Sequence, residues 1–271
     1  MSDFKINFKF KELDKIEPFV RKSDLVLHWF GLTDGILWLN VGEYTIYEYS
    51  DFARYFFKEV IRYNDYYISR FVEDFSSIFK FISESVPEKI YRIVEDFEEN
   101  SDKYEVAHMD YDDEKFDRFY FNEFVPLVKW YDDRVVDAEH LTSGQMIGFF
   151  RYKDKMKILW TTPDSVPNNL DLDSEKIWTS PKGCIEIPYD EFVAEIKEFY
   201  EEFSIGMDIR VKNAVKRDWG DIRLDKQMLV EENEERKRKF WRDFGYLESP
   251  ENNTDWDNIK YLIGKMNEKL R

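Results

Sequence analysis

The chain has 271 residues, 43% hydrophobic and 18% aromatic, and carries 40 Lys and Arg against 57 Asp and Glu, a formal net charge of −17. That apolar content excludes a disordered chain, and the acidity argues against direct binding to phosphate-rich nucleic acid. Its single cysteine, Cys184, excludes an intramolecular disulfide and a cysteine-rich metal site. No run reaches the roughly 18 apolar residues of a membrane span, and the start lacks a secretory pattern, so a cytoplasmic location is expected.

Phe4, Ile6, Phe8 and Phe10 alternate with Lys5, Asn7, Lys9 and Lys11, the period-2 signature of a half-buried strand. Leu25 to Phe30 is apolar on both faces and reads as a central strand, with Thr33-Asp34-Gly35 as a turn. Ile36 to Val41 and Tyr44 to Tyr49, joined at Gly42-Glu43, read as a hairpin. A small antiparallel sheet over the first fifty residues follows.

From Tyr66 the period changes. Ile68, Phe71, Val72, Phe75, Ile78, Phe79 and Ile82 recur at helical steps. Pro87 opens a shorter helix with Ile90, Ile93, Val94 and Phe97. Glu98 to Asp117 loses periodicity and reads as an exposed charged loop. Met146 to Tyr152 and Met156 to Thr162 form a second hairpin, and Pro163 to Asp173 is a loop. Ile177 to Thr179 and Cys184 to Ile187 are short strands. Pro188 opens a helix bearing Phe192, Val193, Ile196, Phe199, Tyr200 and Phe203. The tail is helical, broken at Gly245 to Thr254, and its last helix is capped by Thr254 or Asp255. The expected class is α+β, antiparallel sheets packed with amphipathic helices, in one domain over 1–271 with sub-blocks 1–140 and 141–271.

Charge is distributed unevenly. Glu84 to His140 holds 18 acidic against 7 basic residues, whereas Arg210 to Arg242 holds 11 basic against 7 acidic. Such asymmetry bears on partners and solubility. Arg236 to Lys239, beside Phe240 and Trp241, are interleaved with acids, which points to i,i+4 ion pairs and to contact with the acidic middle or with nothing. Trp29, Trp38, Trp130, Trp160 and Trp178 read as core.

Candidate chemistry is sparse. His28 is either a structural residue or a general base with Asp34 as its nearby carboxylate. His108, Asp110, Asp112 and Asp113 have the spacing of hard-ion ligands, although the glycine and distant glutamate of a calcium loop are missing; a solvated loop is the simpler reading, as it is for Glu139-His140. Cys184 lacks a partner base. Asp132-Asp133 is one acidic pair among many. No phosphate loop, nucleophile elbow or HExxH sequence is present, and no cofactor is expected.

Leu27-His28-Trp29-Phe30-Gly31-Leu32-Thr33-Asp34-Gly35 followed by Trp38, and Trp178-Thr179-Ser180-Pro181-Lys182-Gly183 followed by Phe192, together resemble an uncharacterised bacterial domain-of-unknown-function family of similar length. The resemblance implies a bacterial or phage origin and one full-length domain, and carries over no functional residue. The expected function is non-enzymatic binding of a basic protein, as a toxin-neutralising immunity protein or an inhibitor, through Asp110, Asp112, Asp113, Glu114 and Asp117. The alternative is a hydrolase or metal-dependent enzyme built on His28 and nearby carboxylates.

Overall fold

A computed structural model describes residues 3–58, 61–107, 118–138, 141, 144–163 and 174–269. Strand β1 (Phe4–Phe10) pairs antiparallel with β4 (Asp34–Val41), placing Phe4, Ile6 and Phe8 opposite Val41, Leu39 and Leu37 on one buried face. β4 turns through Gly42 (φ +60°) into β5 (Tyr44–Ile46), and its other half pairs with β6 (Asn64–Tyr67). The alternation in the sequence therefore sets both the register and the buried face.

Three readings of this region are corrected. Residues 25–30 are not a central strand: β2 (Phe19–Arg21) and β3 (Asp24–Val26) form a separate ribbon, and Trp29–Thr33 is a 3-10 turn. Thr33 explains the change, because its hydroxyl donates to the Phe30 carbonyl at 2.7 Å, a local bond that competes with strand pairing. Gly35 lies inside β4 rather than in a turn, where a Cβ would sit 2.5 Å from the Lys9 carbonyl oxygen. Trp38 is half-buried on the outer face and stacks on Tyr63 at 4.2 Å instead of filling the core.

Helix α1 (Asp51–Phe57) is capped by Ser50, whose hydroxyl accepts from the Ala53 N–H. α2 (Ile68–Ser77) and α3 (Phe79–Ile82) carry the expected apolar stripe. After α4 (Glu88–Tyr91), residues expected to be loop form α5 (Phe97–Ala107). Phe97 and Tyr104 of α5 are buried seven positions apart on one helix face, and both pack into the cluster with α6 and α9. A π-helical turn at Tyr120–Phe124 leads into α6 (Val125–Asp132).

The second sheet runs β10-β9-β8-β7, from β7 (Val135–Val136), β8 (Met146–Tyr152), β9 (Lys155–Thr161) and β10 (Gly183–Pro188). Ile177–Thr179 is not a strand; Trp178 makes a single bridge to Tyr49. α7 (Tyr189–Lys216) extends far beyond Phe203, and α8 (Lys226–Glu248) runs through Gly245 to Glu248, so the expected break begins later. α9 (Trp256–Lys269) is capped by Asp255, which accepts from the Asn258 N–H at 3.0 Å. No helix of the described residues is long and apolar enough to cross a membrane.

One buried cluster joins β1, β4, α2, α7 and α8 with the inner face of β8 and β9, including Phe75 tilted against Phe149 at 4.9 Å between ring centres. A second joins α4, α5, α6 and α9 over Phe150 and Leu159 on the opposite face. Because β8 and β9 are covered on both faces, Ile147 to Phe150 and Ile158 to Trp160 are apolar at successive positions rather than alternating. The edge of β1 is closed by α7: Glu195 accepts the Ile6 N–H at 2.8 Å, and Arg210 donates to the Lys11 carbonyl at 2.7 Å.

Candidate cation-binding cleft

A concavity of about 540 Å³ lies between α2 and the α6–β7 corner. Amphipathic α2 turns Phe71, Val72 and Phe75 to the core, which leaves Arg70, Asp74 and Ser77 along one wall. Ile78 and Phe81 supply the apolar part of the lining. The opposite wall comes from Asp132 at the end of α6, then Asp133, Val135 and Asp137. Strand alternation explains the last two: Val136 is 2% exposed and points inward, so Val135 and Asp137 face the cleft.

Four carboxylates thus line one space. Lys129 pairs with Asp133 at 2.5 Å and Arg70 with Asp74 at 2.8 Å, both at the surface. Asp132 lies at the carbonyl end of α6, where a negative charge is disfavoured by the helix dipole. Its carboxyl is held above the usual aspartate range, first by partial desolvation and then by Asp133 and Asp137. Crowded carboxylates over an apolar lining can accept a cationic side chain whose alkyl stem contacts Ile78 and Phe81 while its head adds positive charge beside Asp132.

The residues singled out in the sequence lie elsewhere. His28 is exposed, stacks on Phe19 at 4.4 Å, and its imidazole makes no hydrogen bond or ion pair among the described residues. Desolvation, then Arg236, lowers its pKa. Asp34 pairs with Lys11 at 3.0 Å, so the fold supplies no bond joining the two candidates. His108, Asp110, Asp112, Asp113, Glu114, Asp117, Glu139 and His140 lie outside the described residues. Among the described residues no group of three or more His, Cys, Asp or Glu is placed to hold a metal ion.

Among the described residues, the ion pairs of Arg236 and Lys237 include the expected i,i+4 contact, Arg236 with Glu232, and none of them reaches the acidic middle. Arg236 pairs with Glu73 and Glu232, and Lys237 with Asp208 and Glu234, all outside residues 84–140.

The two segments that carry the family resemblance serve the framework. Trp29 donates to Asn233 at 2.8 Å under the Arg236 guanidinium, and Leu32 accepts from buried Arg210. In the second segment, Ser180 accepts from Gln145 at 2.7 Å and from Trp160 at 3.1 Å, while Thr179 donates its N–H to Glu48. Residues 5–262 match the model of a family of unknown function, DUF5984. The chain belongs to that family. No curated protein and no solved structure matches it. Family membership thus assigns no chemistry to the cleft, and the cleft's own geometry must do so.

The sequence did carry a signal for the cleft. Asp132-Asp133 at a helix end, with Asp137 one strand-step beyond Val135, was visible as residues. Its pairing with Asp74, 58 positions earlier than Asp132 in the numbering, was not.

Proposed function

We propose that this protein is a non-enzymatic acidic binding protein that engages a basic protein partner, acting as a toxin-neutralising immunity protein or an inhibitor in the bacterial cytoplasm. The observation that carries the reading is the cleft lined by Asp74, Asp132, Asp133 and Asp137, with Asp132 crowded by its neighbours. A lysine or arginine of the partner is the complementary group, because it relieves like-charge repulsion on binding. The excess of 18 acidic over 7 basic residues in Glu84 to His140 steers such a partner toward this side. On sequence grounds alone, Asp110, Asp112, Asp113, Glu114 and Asp117 are further candidate contacts for a basic partner.

The test is a pull-down from the native host at low and moderate salt, run in parallel with Asp132→Asn/Asp137→Asn. A basic protein retained by the wild type and lost from the variant supports the reading. Failure to recover any basic protein at either salt sinks it.

A further inference from the structure

We propose that α1 is a self-association element: two copies of this chain pair their α1 helices antiparallel about a two-fold axis. Ala53, 1% exposed, and half-buried Phe57 anchor the inner side of α1 to the protein. The outer side presents Phe52, Tyr55 and Phe56, exposed by 44%, 87% and 46%. These three sit at i, i+3 and i+4, so they form one continuous stripe, and the Phe52 and Phe56 rings stack at 6.1 Å. Single exposed apolar residues are ordinary, but three adjacent aromatics on one helix face mark an interaction surface.

The charges on this helix select the occupant. Asp51, whose side chain is fully exposed and pairs with Arg54 at 3.4 Å, stands at the amino end, and Lys58, exposed at the C-cap, stands at the other. A two-fold contact requires a self-complementary patch, in which residue i meets residue j and j meets i. Antiparallel crossing near Arg54 and Tyr55 sets Asp51 against Lys58 of the second copy and Phe52 against Phe56 of the second copy, so both the ion pairs and the ring contacts close twice. In a molecule of net charge −17, α1 is also a segment where cations match or exceed acids, with Arg54 and Lys58 beside Asp51. Two copies meet there with less like-charge repulsion than across the acidic middle. A two-turn helix buries less than the roughly 800 Å² per partner of a standard interface, so the dimer is weak and concentration-dependent.

Sedimentation velocity of the full chain at roughly 10 to 500 µM tests this, a range that brackets small interfaces. The wild type is expected to shift from monomer toward dimer mass as concentration rises. Tyr55→Asp, at an exposed site that leaves the fold unchanged, is expected to weaken association at least about tenfold. Asp51→Lys alone should weaken it, and Asp51→Lys/Lys58→Asp should restore it, because the swap re-forms both pairs. A wild type that stays monomeric throughout overturns the proposal. So does a dimer that Tyr55→Asp leaves intact, or a charge swap that fails to restore what the single change removes.

Discussion

Arg134 donates to Glu84 at 3.0 Å with both side chains 1% exposed. The same Glu84 accepts the N–H groups of Asn253 and Thr254 and the Thr254 hydroxyl, while Arg134 also donates to the Trp130 carbonyl at 2.8 Å. Trp130 and Trp256 lie 4.9 and 5.5 Å from the guanidinium carbon. This cluster ties the entry to α9 to the end of α6, the corner from which Asp132 and Asp133 reach the cleft. Removing one partner strands a buried charge, so Arg134→Met or Glu84→Gln is expected to cost about 3–5 kcal/mol in urea unfolding. Arg134→Met/Glu84→Leu should cost clearly less than the sum of the single changes, which a double-mutant cycle measures.

Asp132 gives a pH prediction of definite sign. Its carboxyl is raised in the folded state, so the folded protein holds that proton more tightly than the unfolded chain. The stability this group contributes is full at pH values below the unfolded pKa and is lost as pH rises through the raised folded value. At neutral pH the ionised carboxylate is therefore a small liability. Asp132→Asn should be more stable than wild type at pH 7, by up to about 0.5 kcal/mol for a surface site. The gain should shrink as both proteins are acidified through the carboxylate range, as read from thermal melts at a series of pH values.

Cys184 is exposed, yet burial of its thiol and then the Glu95 carboxylate push its pKa up to about 12. A thiol of that kind holds little thiolate at pH 8, so its reaction with a disulfide reagent should run roughly a hundredfold or more below that of the same cysteine in urea. Comparable rates in the native and unfolded protein would contradict the burial of this thiol beside Glu95.

Gly183 lies directly under the Trp160 indole, where a Cβ would come within 2.2 Å of the ring. Trp160 is 2% exposed and held by its bond to Ser180, so the ring cannot retreat freely. Gly183→Ala should destabilise by about 1–3 kcal/mol through overpacking, measured by chemical denaturation.

The strands and long helices were readable where burial is one-sided. Phe4 to Phe10, the hairpin after Ile36 and the stripe from Ile68 each expose a period because one face meets water. The reading failed where a local bond or distant packing decides. The Thr33 hydroxyl bonds the Phe30 carbonyl within a 3-10 turn where the sequence reads as an apolar run, and in α5 the buried Phe97 and Tyr104 stand seven positions apart. The candidate site was less legible than the fold, because Asp74 and Asp137 come together only through the docking of α2 against β7. His28 drew notice as a rare residue type, a property that carries no information about its neighbours.

The central claim is that the carboxylates of the cleft hold a basic partner. Its most direct test is quantitative recovery of host proteins on immobilised wild type and on Asp132→Asn/Asp137→Asn, with stepwise salt elution and measurement of each eluted protein's charge. The account predicts a basic protein retained by the wild type, released as salt rises, and depleted at least about tenfold on the variant, the loss expected when central interface charges are removed. Equal retention of the same protein on both surfaces would contradict it.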